Sequence, residues 1–317
     1  MLQPRRFVAG GQDLTDPALY AAPAEDAAGP LLAASTRSPM FALLEDAAVW
    51  TVGWVCIGTR HAIPRVGDVL PYTIGNQGIH VEHRPDGSLA GRFNMAPHGG
   101  CRVVPLQCQT GRKTSCSFTS CGHSRDRRAL RVEDQVAAHQ YLGLRPERLV
   151  PVPVATAGPF ILVNLGETAA IQAADRLQHP MLGSVPCAPE SWHEHEMNWK
   201  DLLCHLADGE IDDARDPWLA MHTRLADGSA ELRWLFPNLL LLLRPGSACV
   251  VVAQPTGVAQ TLLRLTRFGT ADPWIEGIEV KLRSGGAQPP AAAFLRDALG
   301  RRVARFRTFP EETRQHA

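Results

Sequence analysis

No sign of charge prevails in this chain. Lys+Arg and Asp+Glu both number 32, so no basic field invites nucleic acid or an anionic membrane surface. No apolar run is long enough to span a bilayer. The longest, "WLFPNLLLLLRPGSACVVVAQP", is broken by Pro237, Asn238, Arg244 and Pro245 and reads as two buried strands with a turn. The opening "MLQPRRFVAGGQDL" lacks an apolar h-region, so no signal peptide is expected. A Gly-x-Ser-x-Gly elbow is missing, as is any glycine-rich phosphate loop, which sets aside the serine hydrolases and the nucleotide-binding folds. Without an elbow, "HGG" at His98–Gly100 is turn chemistry. Aromatic residues make up 6% of the chain. Its tryptophans are spread along it, as core residues are, and form no binding box.

At 317 residues, 45% hydrophobic and 20% charged, the chain reads as globular with two domains. Residues 1–40, rich in Ala, Pro, Gly and Asp, read as a loosely packed arm, and a short helix begins near "SPMFALLEDAAVW". Short β runs follow: "WTVGWVCIGT", "VLPYTI", "GIHVEHR" and "LAGRFNM". Gly, Pro and the Asp-Gly of "RPDGSL" punctuate them, the last a strong hairpin signal. "VEDQVAAHQYLGL" has helical spacing, and "LVPVPVATAGPFILVNLG" returns to strand. Trp199, Leu202, Leu203 and Leu206 predict a helix. The "HEHE" before it is expected to be a solvated helix start, and "EIDDARD" after it a solvated acidic loop. Three strands ("AELRWLFPNLLLLL", "SACVVVAQPT", "VAQTLLRLTRFG") and a helix from about Pro290 to Arg307 close the chain. The expected class is α+β, an antiparallel sheet packed on the last helix.

Cysteine is concentrated in one place. "FNMAPHGGCRVVPLQCQTGRKTSCSFTSCGHSRD" holds four of the eight cysteines and two of the twelve histidines. In the reducing cytosol, the expected setting, such a cluster reads as metal ligands before disulfides. Cys56 and Cys249 sit in apolar strand-like runs and read as small core residues.

The stretch from "FALLEDAAVW" through "RPDGSLAGRFNMAPHGG", then "GPFILVNLG", "NWK" (Asn198–Lys200) and "WLFPNLLLLL", resembles in order a Rieske non-haem iron oxygenase α subunit. The resemblance implies an arm (1–40), a Rieske-like small β domain (41–148) and a helix-grip, START-like antiparallel sheet domain (149–317). It also implies assembly with oxygenase-type subunits as a homo- or hetero-trimer, and two metal centres.

In the family, Cys-x-His and Cys-x2-His loops hold a [2Fe–2S] cluster. Aligned here, both histidines stand, His98 and His123, and both cysteines are replaced, by Ala96 and Ser120. Cys101 and Cys121 lie nearby, so a rearranged cluster of His98, Cys101, Cys121 and His123 is one reading. A zinc site of Cys101, Cys108, Cys116 and Cys121 is a second, and an empty site with leftover thiols is a third. Loss of one aligned thiolate per loop favours no metal, or a structural zinc, over [2Fe–2S]. The mononuclear iron of the family needs Asp-x2-His-x4-His after "NWK". Counted from Asn198, these positions are Asp208, Ile211 and Asp216. The bridging carboxylate is present and both imidazoles are missing. Asp297 on the last helix is the nearest third ligand. Mononuclear iron is not expected. The chain thus reads as a non-catalytic subunit that assembles with or regulates an active paralogue. The alternatives are an active oxygenase with the rearranged cluster and a small-molecule-binding module.

Overall fold

The computed structural model describes residues 7–21, 34–75, 77–93, 149–166, 171, 174–225, 228–270 and 290–307. His98, Cys101, Cys108, Cys116, Cys121 and His123 all lie outside the described residues, as do Trp274 and the expected helix in "VEDQVAAHQYLGL".

The chain enters through a small antiparallel pair, β1 (Val8–Ala9) and β2 (Gln12–Asp13), and a short α1 (Ala18–Ala21). These are not loosely packed, contrary to the expectation for an arm. Phe7, Leu14 and Tyr20 are buried in the main core, and the Tyr20 hydroxyl donates to Leu14 O at 2.8 Å. After α2 (Ala34–Arg37), α3 (Pro39–Glu45) starts where Ser38 caps it and Pro39 occupies the first turn. Proline is tolerated there because that N–H has no partner in the helix. A π turn, Asp46–Trp50, carries the helix on to Trp50.

The small β domain has two sheets. One joins β3 (Trp54–Thr59), β9 (Phe160–Asn164) and β8 (Val154–Ala157). The other joins β4 (Val69–Ile74), β5 (Gln77–His83), β6 (Leu89–Phe93) and β7 (Pro151–Val152) in that order. The Asp-Gly turn forms as expected. Gly87 has φ +81, and Asp86 Oδ1 accepts from the Ser88 N–H at 2.9 Å. Within residues 151–164, β7 pairs with β6 and β9 with β3.

The larger domain is a seven-stranded antiparallel sheet. Its order is β10 (Ser191–His195), β16 (Gln260–Gly269), β15 (Ser247–Gly257), β14 (Leu239–Arg244), β13 (Gly228–Leu235), β12 (Trp218–Leu225) and β11 (Glu210–Arg215). Two expectations are corrected here. "HEHE" lies in edge strand β10, paired with β16, and "EIDDARD" supplies edge strand β11, paired with β12. Backbone pairing decides both, since polar side chains on a sheet edge face water without loss. "AELRWLFPNLLLLL" is also two strands, because Phe236–Asn238 turn between β13 and β14. Helix α4 (Trp199–Leu206) and helix α5 (Ala292–Arg307) join Leu232, Trp234, Leu240, Val251 and Leu263 of the sheet in one core.

One buried side chain ties the two sheet systems. Asn238 accepts from Cys56 N at 3.1 Å and donates to Cys56 O at 2.7 Å and Ala253 O at 3.1 Å. Arg264 of β16 lies over the Tyr72 ring of β4, 4.9 Å from its centroid.

Candidate functional site

The "NWK" motif folds as the start of α4. Asn198 caps it, its Oδ1 accepting from Lys200 N at 3.1 Å, while its Nδ2 donates to Val258 O in the β15–β16 turn. One side chain therefore starts the helix and fastens it to the sheet. Lys200 turns inward. Its Nζ donates to Glu45 Oε1 at 2.6 Å with Lys200 fully buried, and stands 5.3 Å and 5.1 Å from the Phe41 and Trp199 ring centroids. Burial pushes the Glu45 carboxyl above its usual range, against the pull of Lys200. Burial and Glu45 together push Asp46 up to about 7. A cavity of about 290 Å³ borders Glu45, Asp46, Trp50 and Trp199. Nothing in the sequence paired Lys200 with a residue 155 positions away.

The aligned iron positions follow. Helix α4 ends at Leu206, and Asp208 is exposed beyond it. His205 does not share a helical face with Asp208; its Nδ1 lies 2.6 Å from Asp201 O in its own helix. Ile211 lies in β11, opposite Met221, and is 43% exposed. Asp216, just past the end of β11, accepts from Arg302 Nη1 of α5 at 2.8 Å, with Arg301 Nε 3.6 Å away. Arg302 also donates to Ala298 O at 2.8 Å and stacks 4.2 Å from the Phe236 centroid.

The secondary structure itself removes this site. A helix rises 1.5 Å per residue, so ligands five apart stand about 7.5 Å apart along its axis. An extended strand separates the same two positions by about 16 Å, too far for two imidazoles to share one metal. Carboxylates near these positions are paired elsewhere. Asp297 pairs with Arg301, and His222 Nδ1 lies 2.5 Å from Asp212 Oδ2. Among the described residues no group of three or more His, Cys, Asp or Glu converges as a metal site. The described residues at these positions do not fit a mononuclear iron.

The face between helices and sheet, where a helix-grip ligand would lie, is filled by side chains. Trp234 meets Phe294 of α5 edge-on at 5.5 Å, and Trp199 meets Phe236 at 6.1 Å. Trp50, Trp199, Trp218 and Trp234 are each at most 3% exposed, in keeping with core roles. Cys56, Cys204 and Cys249 are buried free thiols, and burial pushes Cys56 up to about 12.

No protein-family model matches the chain. The oxygenase subunit of glycine betaine monooxygenase from Chromohalobacter salexigens is 26% identical over 202 residues, 57% of this chain. That match spans 45% of the relative, so the chain covers less than half of its length. The quaternary ammonium Rieske monooxygenase CntA, solved with γ-butyrobetaine, superposes with a TM-score of 0.55 at 15% identity, over 84% of this chain and 83% of that one. The chain has the fold of these Rieske oxygenase subunits. A naphthalene 1,2-dioxygenase mutant bound to phenanthrene has the same fold, with a TM-score of 0.51 at 13% identity, over 86% of this chain and 80% of that one. Within that fold "NWK" starts α4, and the segment that follows, Glu210–Arg215, is strand β11. No described helix is long and apolar enough to cross a membrane.

Proposed function

We propose that the chain is a non-catalytic oxygenase-type subunit that assembles with, stabilises or regulates an active paralogue in the cytoplasm. One observation carries this reading. The positions where the family places its iron histidines are an exposed isoleucine on an edge strand and an aspartate held by Arg302. Oxygen chemistry needs open metal positions, and these residues supply none. The retained contacts are those of architecture: the Asn198 cap, the Lys200–Glu45 pair and the Asn238 tie.

A homo- or hetero-trimer with oxygenase subunits is the assembly we infer. Asp208 is exposed at the position aligned with the family's bridging carboxylate. Two of the similar proteins are named for betaine or quaternary ammonium substrates, which makes an oxygenase of that class the first partner to test. For the cysteine loops we propose no metal or a structural zinc. The packed helix–sheet face speaks against a small-molecule module.

Metal analysis of anaerobically purified protein tests the reading. The expected result is no mononuclear iron, no turnover by the chain alone, and a mixed oligomer when it is co-expressed with an active paralogue. Stoichiometric iron surviving replacement of Cys101, Cys108, Cys116 and Cys121 by serine would overturn it. A rhombic Rieske signal in reduced-state EPR, lost in Cys101→Ser, would instead establish the rearranged cluster of His98, Cys101, Cys121 and His123.

A further inference from the structure

Away from the aligned iron positions, a cleft of about 430 Å³ opens where three segments meet. These are the 3-10 turn Arg60–Ala62 after β3, the β8–β9 turn, and the 3-10 turns Ala174–Leu177 and Pro180–Gly183. Its walls are held by named bonds. The Arg60 N–H donates to Pro159 O at 2.7 Å. Arg233 Nη1 donates to Arg176 O at 2.7 Å and Gln178 O at 3.3 Å, fixing the opposite wall. His179 caps the second 3-10 turn, its Nδ1 accepting from Met181 N at 3.3 Å. That bond places the neutral imidazole's proton on Nε2, which makes Nε2 a donor.

The polar side chains of the lining are Arg60, His61, Gln178 and His179, and no carboxylate is among them. Two acids bonded to the arginines of this wall are paired, Asp213 on Arg176 at 2.8 Å and Glu231 on Arg233 at 2.5 Å, while Asp175 sits in the Ala174–Leu177 turn and Arg60 Nη2 donates to Gly87 O at 3.3 Å. Pro159, Leu177 and Leu182 give the cleft an apolar floor. We propose that this cleft binds a small organic carboxylate, its headgroup on Arg60 and the two imidazoles and its hydrocarbon body over the floor. An apolar pocket with a few convergent donors is the usual form of a small-molecule site, and a guanidinium is the side chain best matched to a carboxylate.

Proton uptake accompanies binding. Burial holds His61 below the ordinary imidazole value, and burial with the nearby Arg233 does the same to His179, while Glu231 opposes. Both rings are thus largely neutral near pH 7, and a bound carboxylate favours their charged forms. Affinity therefore rises as pH falls.

Calorimetry of the full chain with benzoate at pH 6 and pH 8 tests the site. Expected are saturable binding that is tighter at pH 6 and roughly tenfold weaker in Arg60→Gln, the loss of about one charge-assisted contact. A Cβ at Gly183 meets nothing within 4 Å, so Gly183→Leu should fill the cleft and abolish binding with an unchanged melting temperature. Absence of saturable benzoate binding at both pH values would overturn the proposal. So would binding indifferent to both substitutions, or inorganic phosphate binding as tightly as benzoate.

Discussion

Lys200 shows how one buried side chain can serve the architecture of the fold. Its ammonium and the Glu45 carboxylate are removed from water together, and each is tolerable only because of the other. Lys200→Met should cost about 3–5 kcal/mol, since it strands a buried carboxyl. The double variant Lys200→Met/Glu45→Leu should recover most of that loss, because an apolar pair of similar volume avoids the desolvation cost. Urea denaturation of the two singles and the double measures it, and equal losses in all three would refute the coupling. Asp216 and Arg302 form the second such pair, with side chains 20% and 15% exposed. Asp216→Asn should lower stability by about 1–3 kcal/mol, the cost of unmatching a largely buried hydrogen-bonded charge. A cycle with Arg302→Met should return a coupling of about 0.5–3 kcal/mol; strict additivity would mean that Arg302 holds α5 by packing on Phe236 alone.

Among the elements, β11 decides most about function. With Ile211 in an extended edge strand and Asp216 just past its end, the two aligned positions stand beyond the reach of one metal. Ile211→His/Asp216→His should therefore bind no ferrous iron, even though it restores both residue types. Stoichiometric iron in that variant would show that the strand refolds as a helix around metal. The turn between β4 and β5 is the other sensitive element. Gly75 has φ +55, and a Cβ there would fall on the Asp46 carboxylate. Gly75→Ala thus meets backbone strain of about 1–3 kcal/mol and a clash as well. A melting temperature within a degree of the parent would contradict this geometry.

Asp46 and Glu45 favour mild acid over neutral pH, whereas His80, held down to about 4 by burial and the nearby Arg92, pulls the other way. Asp46 is raised from 3.8 to about 7, and Glu45 is raised as well. At Asp46 the native state therefore binds more protons than the unfolded chain between about pH 4 and 7, and this group's contribution to stability falls with rising pH across that window. Below the unfolded value the contribution is fully present; above pH 7 it is gone. Asp46→Asn should remove this contribution and leave those of Glu45 and His80. The check is the denaturation midpoint at pH 5 and pH 8 for both proteins. A parent-minus-variant difference no larger at pH 5 than at pH 8 would refute the sign assigned to Asp46.

Local rules determined a good deal without tertiary help. The Asp-Gly hairpin, the alternating strands from Val69 to Phe93, the Asn198 cap, the final helix and the missing histidines all follow from residues close in sequence. So did the family resemblance, an ordered set of local motifs. Tertiary structure decided the rest. Ser191–His195 and Glu210–Arg215 carry polar, charged runs that read as solvated helix and loop. They are strands because β16 and β12 offer edges to pair with, and pairing energy is not encoded in the strand's own residues. Leu14 and Tyr20 sit in an Ala/Pro/Gly-rich stretch, yet the core takes them in. The partners of Lys200, Asp216 and Asn238 lie 155, 86 and up to 182 residues away. No local spacing could have joined them, because a buried polar group's partner is chosen by which surfaces the whole fold brings into contact.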